Sequence, residues 1–318
     1  MHAVLQIMDS ASLPIIDFSN HDRQDTAMKL AEAMETVGYV YLDNVEGYNK
    51  EVEAELLQAA KWFYSMPLEE KLRYSPKKWN KDAKGVYRGY IPLPPDTTEH
   101  RLVERFIMGE ILPDDDPERR SGNPLYEPTP MPFSEFTFCE VMKSHYSRML
   151  NAGMEFLKLT AIGLGLDENI FNNKFIPKSV STLQLMHYPT YVKKEGESLL
   201  TCGEHQDKLF VTFLTTFGPG LEYQREDGLW VGIEPRPGSL IANIGIILSQ
   251  LTDGRFKAVR HRVRDIQKDR YSIPFVLEAR SDAKFDIPNS TGSITYGPWL
   301  VQQLRKSTYA FGHLPDVS

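Results

Sequence analysis

The sequence predicts a mostly β protein with flanking helices, built as an antiparallel sandwich or jelly roll behind a helical N-terminal region. After residue 179, short runs rich in β-branched and aromatic residues alternate with turn residues, as in sandwiches and jelly rolls. Before that point, apolar residues recur at the spacing of amphipathic helices. The change of pattern places the β core in the second half of the chain.

The first half is expected to begin with strands over 13–18 and 38–42, each followed by a helix, over 25–37 and 51–64. Residues 92–132 are dense in proline and acidic residues, which predicts a long loop region around one strand. The remaining predicted elements are a strand over 104–109, a helix over 133–166, strands over 182–188, 209–217, 221–224, 230–233, 240–244, 258–263 and 270–277, and a final helix over 297–307.

We expect three parts within this organisation. Residues 1–178 form the helix-rich N-terminal region, residues 179–280 form the jelly-roll core, and residues 281–318 form a C-terminal helical extension of the same domain. The turn Glu226-Asp227-Gly228 is predicted to join two strands of the core as a hairpin.

Composition narrows the class of protein. The 318 residues are 41% hydrophobic and 25% charged, within the range of ordinary globular proteins. A net charge of −7 argues against a nucleic-acid-binding surface. Cys139 and Cys202 are too few for a disulfide scaffold and indicate free thiols in a reducing compartment. Residues 1–9 lack a secretory pattern, so we expect a cytoplasmic protein without nucleic-acid or membrane partners; the oligomeric state stays open.

Three side chains form a candidate metal site. His205 and Asp207 stand two positions apart, so in a strand both would lie on one side of the backbone and could share an ion. The pair alone is weak evidence, because such spacing also arises by chance, but His261 follows in a later predicted strand. Two imidazoles and one carboxylate without cysteine are the donors that hold non-haem Fe(II) and leave positions open. His187 is expected in the core or in support of the site.

A second pair could bind an organic acid. Arg270 and Ser272 are again two positions apart in a predicted strand, so the guanidinium and the hydroxyl would face the same side. A guanidinium binds a carboxylate through two parallel hydrogen bonds. An inward-facing arginine would be costly without such an anion, and the alternative is an arginine that points to solvent from an edge strand.

These residues resemble the iron(II) and 2-oxoglutarate-dependent oxygenases, specifically the isopenicillin N synthase-like branch, which includes plant flavonoid and gibberellin oxidases and aminocyclopropane carboxylate oxidase. The similarity spans most of the chain. Its strongest segments are His187-Tyr188-Pro189, His205-Gln206-Asp207, Asn243-Ile244-Gly245, the stretch 251–263 and Arg270-Tyr271-Ser272.

The resemblance implies a double-stranded β-helix in which His205, Asp207 and His261 bind Fe(II), while Arg270 and Ser272 hold the far carboxylate of 2-oxoglutarate. It also implies a reaction: O2 and 2-oxoglutarate are consumed, a small organic metabolite is hydroxylated, desaturated or cyclised, and succinate and CO2 are released. Two alternatives stay open. One is an iron oxidase of the same branch that does not use 2-oxoglutarate, and the other is a catalytically silent small-molecule-binding jelly roll.

Of three further positions, one matches the pattern of the family and two differ from it. Tyr188, directly before Pro189, matches the tyrosine that adds a hydroxyl to the same carboxylate, which favours 2-oxoglutarate over the first alternative. Plant members have an asparagine where this chain has Met186, and an acid where it has Ile246.

The front half of the chain contains the segments from which members of the branch build the substrate pocket. The candidate substrate contacts at these positions are Arg88, Tyr90, Arg105 and Phe106. The resemblance does not identify the substrate.

Overall fold

A computed structural model describes residues 13–95, 102–190, 200–289 and 292–317. The prediction about residues 1–9 therefore lies outside the described residues. The helices, in chain order, are α1 (Arg23–Thr36), α2 (Lys50–Ser65), α3 (Leu68–Leu72), α4 (Pro117–Arg120), α5 (Phe136–Gly163), α6 (Asn172–Phe175), α7 (Ile246–Leu251), α8 (Tyr296–Leu304) and α9 (Thr308–Phe311). Within the described ranges, no helix combines the length and the apolar character needed to cross a membrane.

The strands carry most of the core. In chain order they are β1 (Ile15–Asp17), β2 (Tyr39–Asp43), β3 (Gly89–Ile91), β4 (Glu104–Gly109), β5 (Thr182–Tyr188), β6 (Leu200–His205), β7 (Val211–Phe217), β8 (Leu221–Gln224), β9 (Trp230–Gly232), β10 (Leu240–Ile244), β11 (His261–Arg264), β12 (Arg270–Leu277), β13 (Lys284–Asp286) and β14 (Ser293–Thr295).

Two sheets form the jelly roll that the sequence predicts. The large sheet has the order β1-β2-β10-β7-β12-β5-β4-β3, and the small sheet has the order β6-β11-β8-β9. The strand pairs of both sheets are antiparallel except β1 with β2, which are parallel. Side chains from both sheets share one hydrophobic cluster, including Tyr188 from the large sheet and Val263 from the small one. The site lies between them.

The N-terminal helices pack behind the large sheet. The Asp22 side chain accepts a hydrogen bond from the Asp25 amide at the start of α1, and Asn49 caps α2 in the same way, which satisfies amide groups at both helix starts. The long helix α5 packs against α1, α2, β7 and β12. Strands β1 to β4 belong to the large sheet, so the sheet itself runs across the expected boundary at residue 178, and the three-part division stays a prediction.

Most predicted strands of the second half have the bounds that their pattern indicated, including β5, β8, β10 and β12. The hairpin is also confirmed, because β8 pairs with β9 around the Gly228 turn. One detail differs at the metal site. His205 ends β6, a strand that the pattern did not predict, and Asp207 lies in the loop after it. The two side chains converge because the chain turns there, and strand alternation does not account for it. Cys139 and Cys202 are free thiols, as expected.

Candidate metal centre and adjoining cavity

Three side chains meet between the two sheets. His205 ends β6 and His261 begins β11, and the two residues are register partners across the small sheet. The Nε2 atoms of His205 and His261 lie 3.8 Å and 3.7 Å from Oδ1 of Asp207. These three residues are the group of potential metal ligands that the described part of the chain contains, with ligand atoms within 4.8 Å of one another. One divalent cation could bind all three.

Hydrogen bonds orient both imidazole rings for this task. Nδ1 of His205 lies 2.8 Å from the carbonyl oxygen of Gly203, and Nδ1 of His261 lies 3.3 Å from that of Val259. A carbonyl oxygen only accepts, so each Nδ1 carries the proton and each Nε2 presents a lone pair. The rings are thus set, before any ion arrives, in the tautomer that a metal requires.

The carboxylate is oriented in a comparable way. Oδ2 of Asp207 accepts hydrogen bonds from Oγ1 of Thr212 at 2.7 Å and Nδ2 of Asn243 at 2.9 Å, so Oδ1 remains for the ion. Burial alone would raise the pKa of Asp207, but His261 and His205 together with these two hydrogen bonds lower it below its usual range. The group is a carboxylate under ordinary conditions. Neither Thr212 nor Asn243 was predicted as a supporting residue, although Asn243 lies in a segment that carried the resemblance.

The loop that carries the carboxylate is held by its backbone. The Ile246 amide donates to the carbonyl oxygen of Asp207 at 2.7 Å. A Cβ at Gly245 would lie 1.9 Å from the carbonyl oxygen of Leu209, so only glycine permits this approach. Ile246, at the position where plant members carry an acid, contributes its backbone amide to this loop. The donor set of the site remains two imidazoles and one carboxylate. That set fits non-haem Fe(II).

A buried guanidinium faces the same space. Arg270 begins β12 opposite Tyr188 of β5 and is only 2% exposed. Its Nε donates to the carbonyl oxygen of Pro219 at 3.0 Å and its Nη2 to Oγ1 of Thr216 at 2.6 Å. Its buried Nη1 has no hydrogen-bond partner among the described residues. Burial lowers the pKa of Arg270, and the interaction with Tyr188 partly offsets this decrease. A buried cation with an unused donor fits an anionic ligand.

Hydroxyl groups surround this guanidinium. Ser272 is buried on the same face of β12, and the Tyr188 hydroxyl interacts with both Ser272 and Arg270. Met186, at the position of the plant asparagine, places its sulfur 3.9 Å from the Tyr188 hydroxyl. The predicted set of arginine, serine and tyrosine is therefore assembled at one place, and the Met186 sulfur takes the place of an amide.

Both groups of residues line a single cavity of about 630 Å³. Its wall includes His205, Asp207 and His261 as well as Tyr188, Arg270 and Ser272. A volume of this size falls in the range of small-molecule sites, roughly 300–1,000 Å³. A bound ion and an acid held by the guanidinium would share this one cavity.

Comparison with known proteins identifies the family. Residues 179–279 match the model of the 2OG-Fe(II) oxygenase superfamily. Residues 13–133 match a second model, which is described as "non-haem dioxygenase in morphine synthesis N-terminal". The chain belongs to the 2OG-Fe(II) oxygenase superfamily. The 2-oxoglutarate-Fe(II) type oxidoreductase hxnY of Emericella nidulans is 28% identical over 286 residues, which are 85% of this chain and 80% of that protein.

Solved structures of this superfamily have the same fold. A 2OG-Fe(II) oxygenase family protein from Caulobacter crescentus has a TM-score of 0.79 at 28% identity and covers 93% of this chain and 99% of its own. A Neurospora crassa protein solved in complex with alpha-KG has a TM-score of 0.77 at 22% identity, covering 93% of this chain and 96% of its own. The second likeness concerns the fold alone.

The predicted substrate residues of this superfamily member separate into two groups. Arg105 lines the cavity. Phe106, the next residue of β4, points to the opposite face and packs 4.8 Å, ring to ring, from Phe63, as strand alternation requires. Tyr90 pairs with Phe106 and donates from its hydroxyl to Glu104.

Arg88 is buried away from the cavity wall. Its guanidinium donates to the carbonyl oxygens of Leu125 and Glu127, each at 2.6 Å. The structure therefore brings one of the four candidate residues, Arg105, to the cavity, and it places Arg88, Tyr90 and Phe106 in the interior.

Part of the cavity wall was not predicted. Leu300, Gln303 and Leu304 of α8 and Phe311 of α9 line it, so the C-terminal extension completes the cavity. Their spacing predicts one face of a helix, but the sequence does not tell what that face meets. His187 is buried in the core, one of the two places expected for it, with Nδ1 2.8 Å from Oε1 of Glu104.

Proposed function

We propose that this chain is an Fe(II)- and 2-oxoglutarate-dependent dioxygenase that oxidises a small organic metabolite and releases succinate and CO2. The observation that carries the proposal is a juxtaposition in one cavity. A cluster of two histidines and one carboxylate faces the same space as the buried Arg270 guanidinium, whose Nη1 has no partner among the described residues. Membership in the superfamily supports the same activity.

In this proposal Nε2 of His205, Nε2 of His261 and Oδ1 of Asp207 would hold the iron. The hydrogen bonds to the far atoms of these groups keep the lone pairs aimed at the ion. When bound together with 2-oxoglutarate and O2, the iron supplies the oxidising power needed to break a C–H bond. The protein supplies orientation and the cavity in which both ligands bind.

Arg270, Ser272 and Tyr188 would hold the far carboxylate of 2-oxoglutarate. Pro219 and Thr216 occupy two donors of the guanidinium and fix its plane, which leaves Nη1 as the donor for the acid. Because the group is buried, the charge-assisted hydrogen bond forms in a medium of low dielectric constant and is stronger than in water. This geometry favours 2-oxoglutarate over an oxidase that needs no such acid.

Iron binding tests the first half of the proposal. Asp207→Ala and His205→Ala should each abolish stoichiometric Fe(II) binding, measured as iron content after anaerobic loading, and should abolish succinate formation. His21→Ala removes an exposed histidine and serves as the matched control with unchanged iron content. Thermal unfolding of each variant verifies the fold. Stoichiometric iron in either ligand variant would contradict the assignment.

Co-substrate binding tests the second half. Adding 2-oxoglutarate anaerobically to the Fe(II) protein should produce a weak visible charge-transfer band. Arg270→Met should raise the KM for 2-oxoglutarate by roughly 30- to 5,000-fold, since the loss of a buried charged partner costs about 2–5 kcal/mol, whereas Arg270→Lys should retain part of the affinity. Full turnover without 2-oxoglutarate would favour the 2-oxoglutarate-independent oxidase, and a chain that binds no iron would favour the silent binding module.

We also propose that residues 179–280 form the functional core within one domain, and that the protein acts in the cytoplasm on a small molecule and not on nucleic acid. The two free thiols and the net charge of −7 support this assignment. Imaging the tagged full-length chain tests the compartment, and accumulation in a secretory organelle would contradict it.

A further inference from the structure

Positive charge is concentrated on the wall of the large cavity. Among its described lining residues, Arg105, Lys208, Arg270 and Lys306 are cationic, and Asp207 is the carboxylate. In the proposed function Asp207 binds iron and Arg270 binds 2-oxoglutarate. Three cations of the wall then remain without a role in the proposed function, and of these Arg105 is the buried one.

We propose, on the basis of the function above, that the organic substrate is an apolar acid and that Arg105 binds its carboxylate. Arg105 lies on β4 opposite Met186 of β5, which in turn lies opposite Ser272 of β12. These register partners share one face of the sheet. Neighbouring strands lie about 4.8 Å apart, so the backbones of Arg105 and Ser272 are separated by roughly 10 Å. Arg105 thus lines the same face of the cavity as Ser272, two strands away from it.

Glu104 precedes Arg105 on β4, and its side chain lies on the opposite face of the sheet. Glu104 lies 2.7 Å from the Lys71 ammonium and 2.8 Å from Nδ1 of His187. It is held by a cation of its own on the face that packs against the N-terminal helices. The cavity face of the same strand presents Arg105, which is 8% exposed and lines the cavity beside Tyr188. A planar guanidinium in such a wall suits a carboxylate, which it can bind through two parallel hydrogen bonds.

The rest of the wall determines the body of the substrate. Apolar side chains come from the large sheet and from the C-terminal helices, including Leu214, Pro274, Val276, Leu300 and Phe311. Burying apolar surface against them contributes about 25 cal/mol per Å². A carboxylate at one end and a hydrocarbon or aromatic body at the other therefore match the two kinds of wall. The exposed Lys306 adds positive charge at the rim and would attract anions to the entrance.

Matched acids and amides test this inference. The probes are 3-phenylpropanoic acid with 3-phenylpropanamide and decanoic acid with decanamide, each titrated calorimetrically into the protein loaded with Mn(II) and 2-oxoglutarate. We expect at least one acid to bind ten-fold or more tightly than its amide. Arg105→Gln should remove that preference and change amide affinity less than two-fold. Equal affinity for acid and amide in every pair, or no binding of either, would overturn the inference.

Two further variants separate charge from fold and from surface effects. Arg105→Lys keeps the charge and should retain at least part of the preference for the acid, which a purely structural role of Arg105 would not produce. Arg225→Gln removes an exposed arginine outside the cavity wall and should leave all affinities within two-fold. Loss of acid preference in Arg225→Gln as well would overturn the assignment to Arg105, because the effect would then come from net charge.

The Fe(II) protein is also assayed for conversion of 2-oxoglutarate to succinate without an organic substrate. This measurement distinguishes failure of this inference from failure of the proposed function. A ten-fold rise in the KM for 2-oxoglutarate in Arg105→Gln, with acid preference unchanged, would place Arg105 in the co-substrate site and overturn the inference while the function stands. Acid preference that depends on Arg105, in a protein that forms no succinate, would support the inference while the proposed function fails.

Discussion

His145 should make the protein markedly less stable below pH 6.5. It lies on α5 with no exposed surface, and neither ring nitrogen has a hydrogen-bond partner among the described residues. Burial, with a smaller contribution from Arg148, lowers the pKa of His145 from 6.5 to about 3. In the unfolded chain the ring takes up a proton below pH 6.5, whereas in the folded chain it stays neutral to about pH 3, so stability falls as pH falls through that window.

The magnitude follows from the pKa difference. Each pH unit between 6.5 and 3 costs about 1.4 kcal/mol of unfolding free energy, which amounts to about 2 kcal/mol at pH 5. His145→Leu removes this proton uptake from the unfolded chain. We therefore expect the loss of stability between pH 7 and pH 5 to be about 2 kcal/mol smaller in the variant than in the wild type.

Urea unfolding at pH 7, 6 and 5, in the presence of a chelator, measures this difference. Other titrating groups are common to both proteins and cancel in the comparison. His21→Leu carries the same substitution at an exposed position and should follow the wild-type curve. Parallel stability curves for His145→Leu and wild type would refute the reasoning, because they would mean that the folded state protonates His145 as readily as the unfolded chain.

Three other perturbations test the supports of the site. Asn243→Leu removes one hydrogen bond to Asp207 and should weaken Fe(II) binding about 10- to 100-fold, measured by chelator competition; unchanged affinity would argue against an orienting role. Glu104→Gln leaves the buried Lys71 ammonium without its carboxylate and should cost about 3–5 kcal/mol in urea unfolding, so a loss below 1 kcal/mol would contradict a buried pair. Gly245→Ala creates a backbone clash and should lower both the melting temperature and the iron content, and a variant that matches wild type in both would show that the loop relaxes freely.

The sequence was most informative where one side-chain pattern determines one structure. The β-rich runs 182–188 and 270–277, bounded by turn residues, predicted β5 and β12 with their observed bounds, and the two-residue spacing placed Arg270 and Ser272 on one face. The metal cluster was predicted as a set of residues, but its geometry was not. Asp207 reaches the histidines from a loop, and the conformation of that loop depends on long-range contacts with Thr212 and Asn243.

The residues that line the substrate part of the cavity were harder to predict, again because their positions depend on long-range contacts. Arg105 and Phe106 are adjacent, and only the register of β4 against β5 decides which one faces the cavity. A one-residue shift would exchange them. The wall formed by Leu300 and Phe311 depends on where the C-terminal helices dock. A helical pattern in the sequence shows that one face is apolar, but it does not show which surface that face covers.

The same alternation explains how the large sheet can present a buried cation to a cavity. On the cavity face, Arg270 stands opposite Tyr188. On the other face, Tyr271 stacks on His187 with ring centroids 4.7 Å apart, and His187 is held by Glu104. Two adjacent strands are thus fixed by packing and hydrogen bonds directly behind the guanidinium. Because the strands cannot shift without breaking these contacts, the direction of the Arg270 side chain is set by the fold before an acid binds, which lowers the entropy cost of binding.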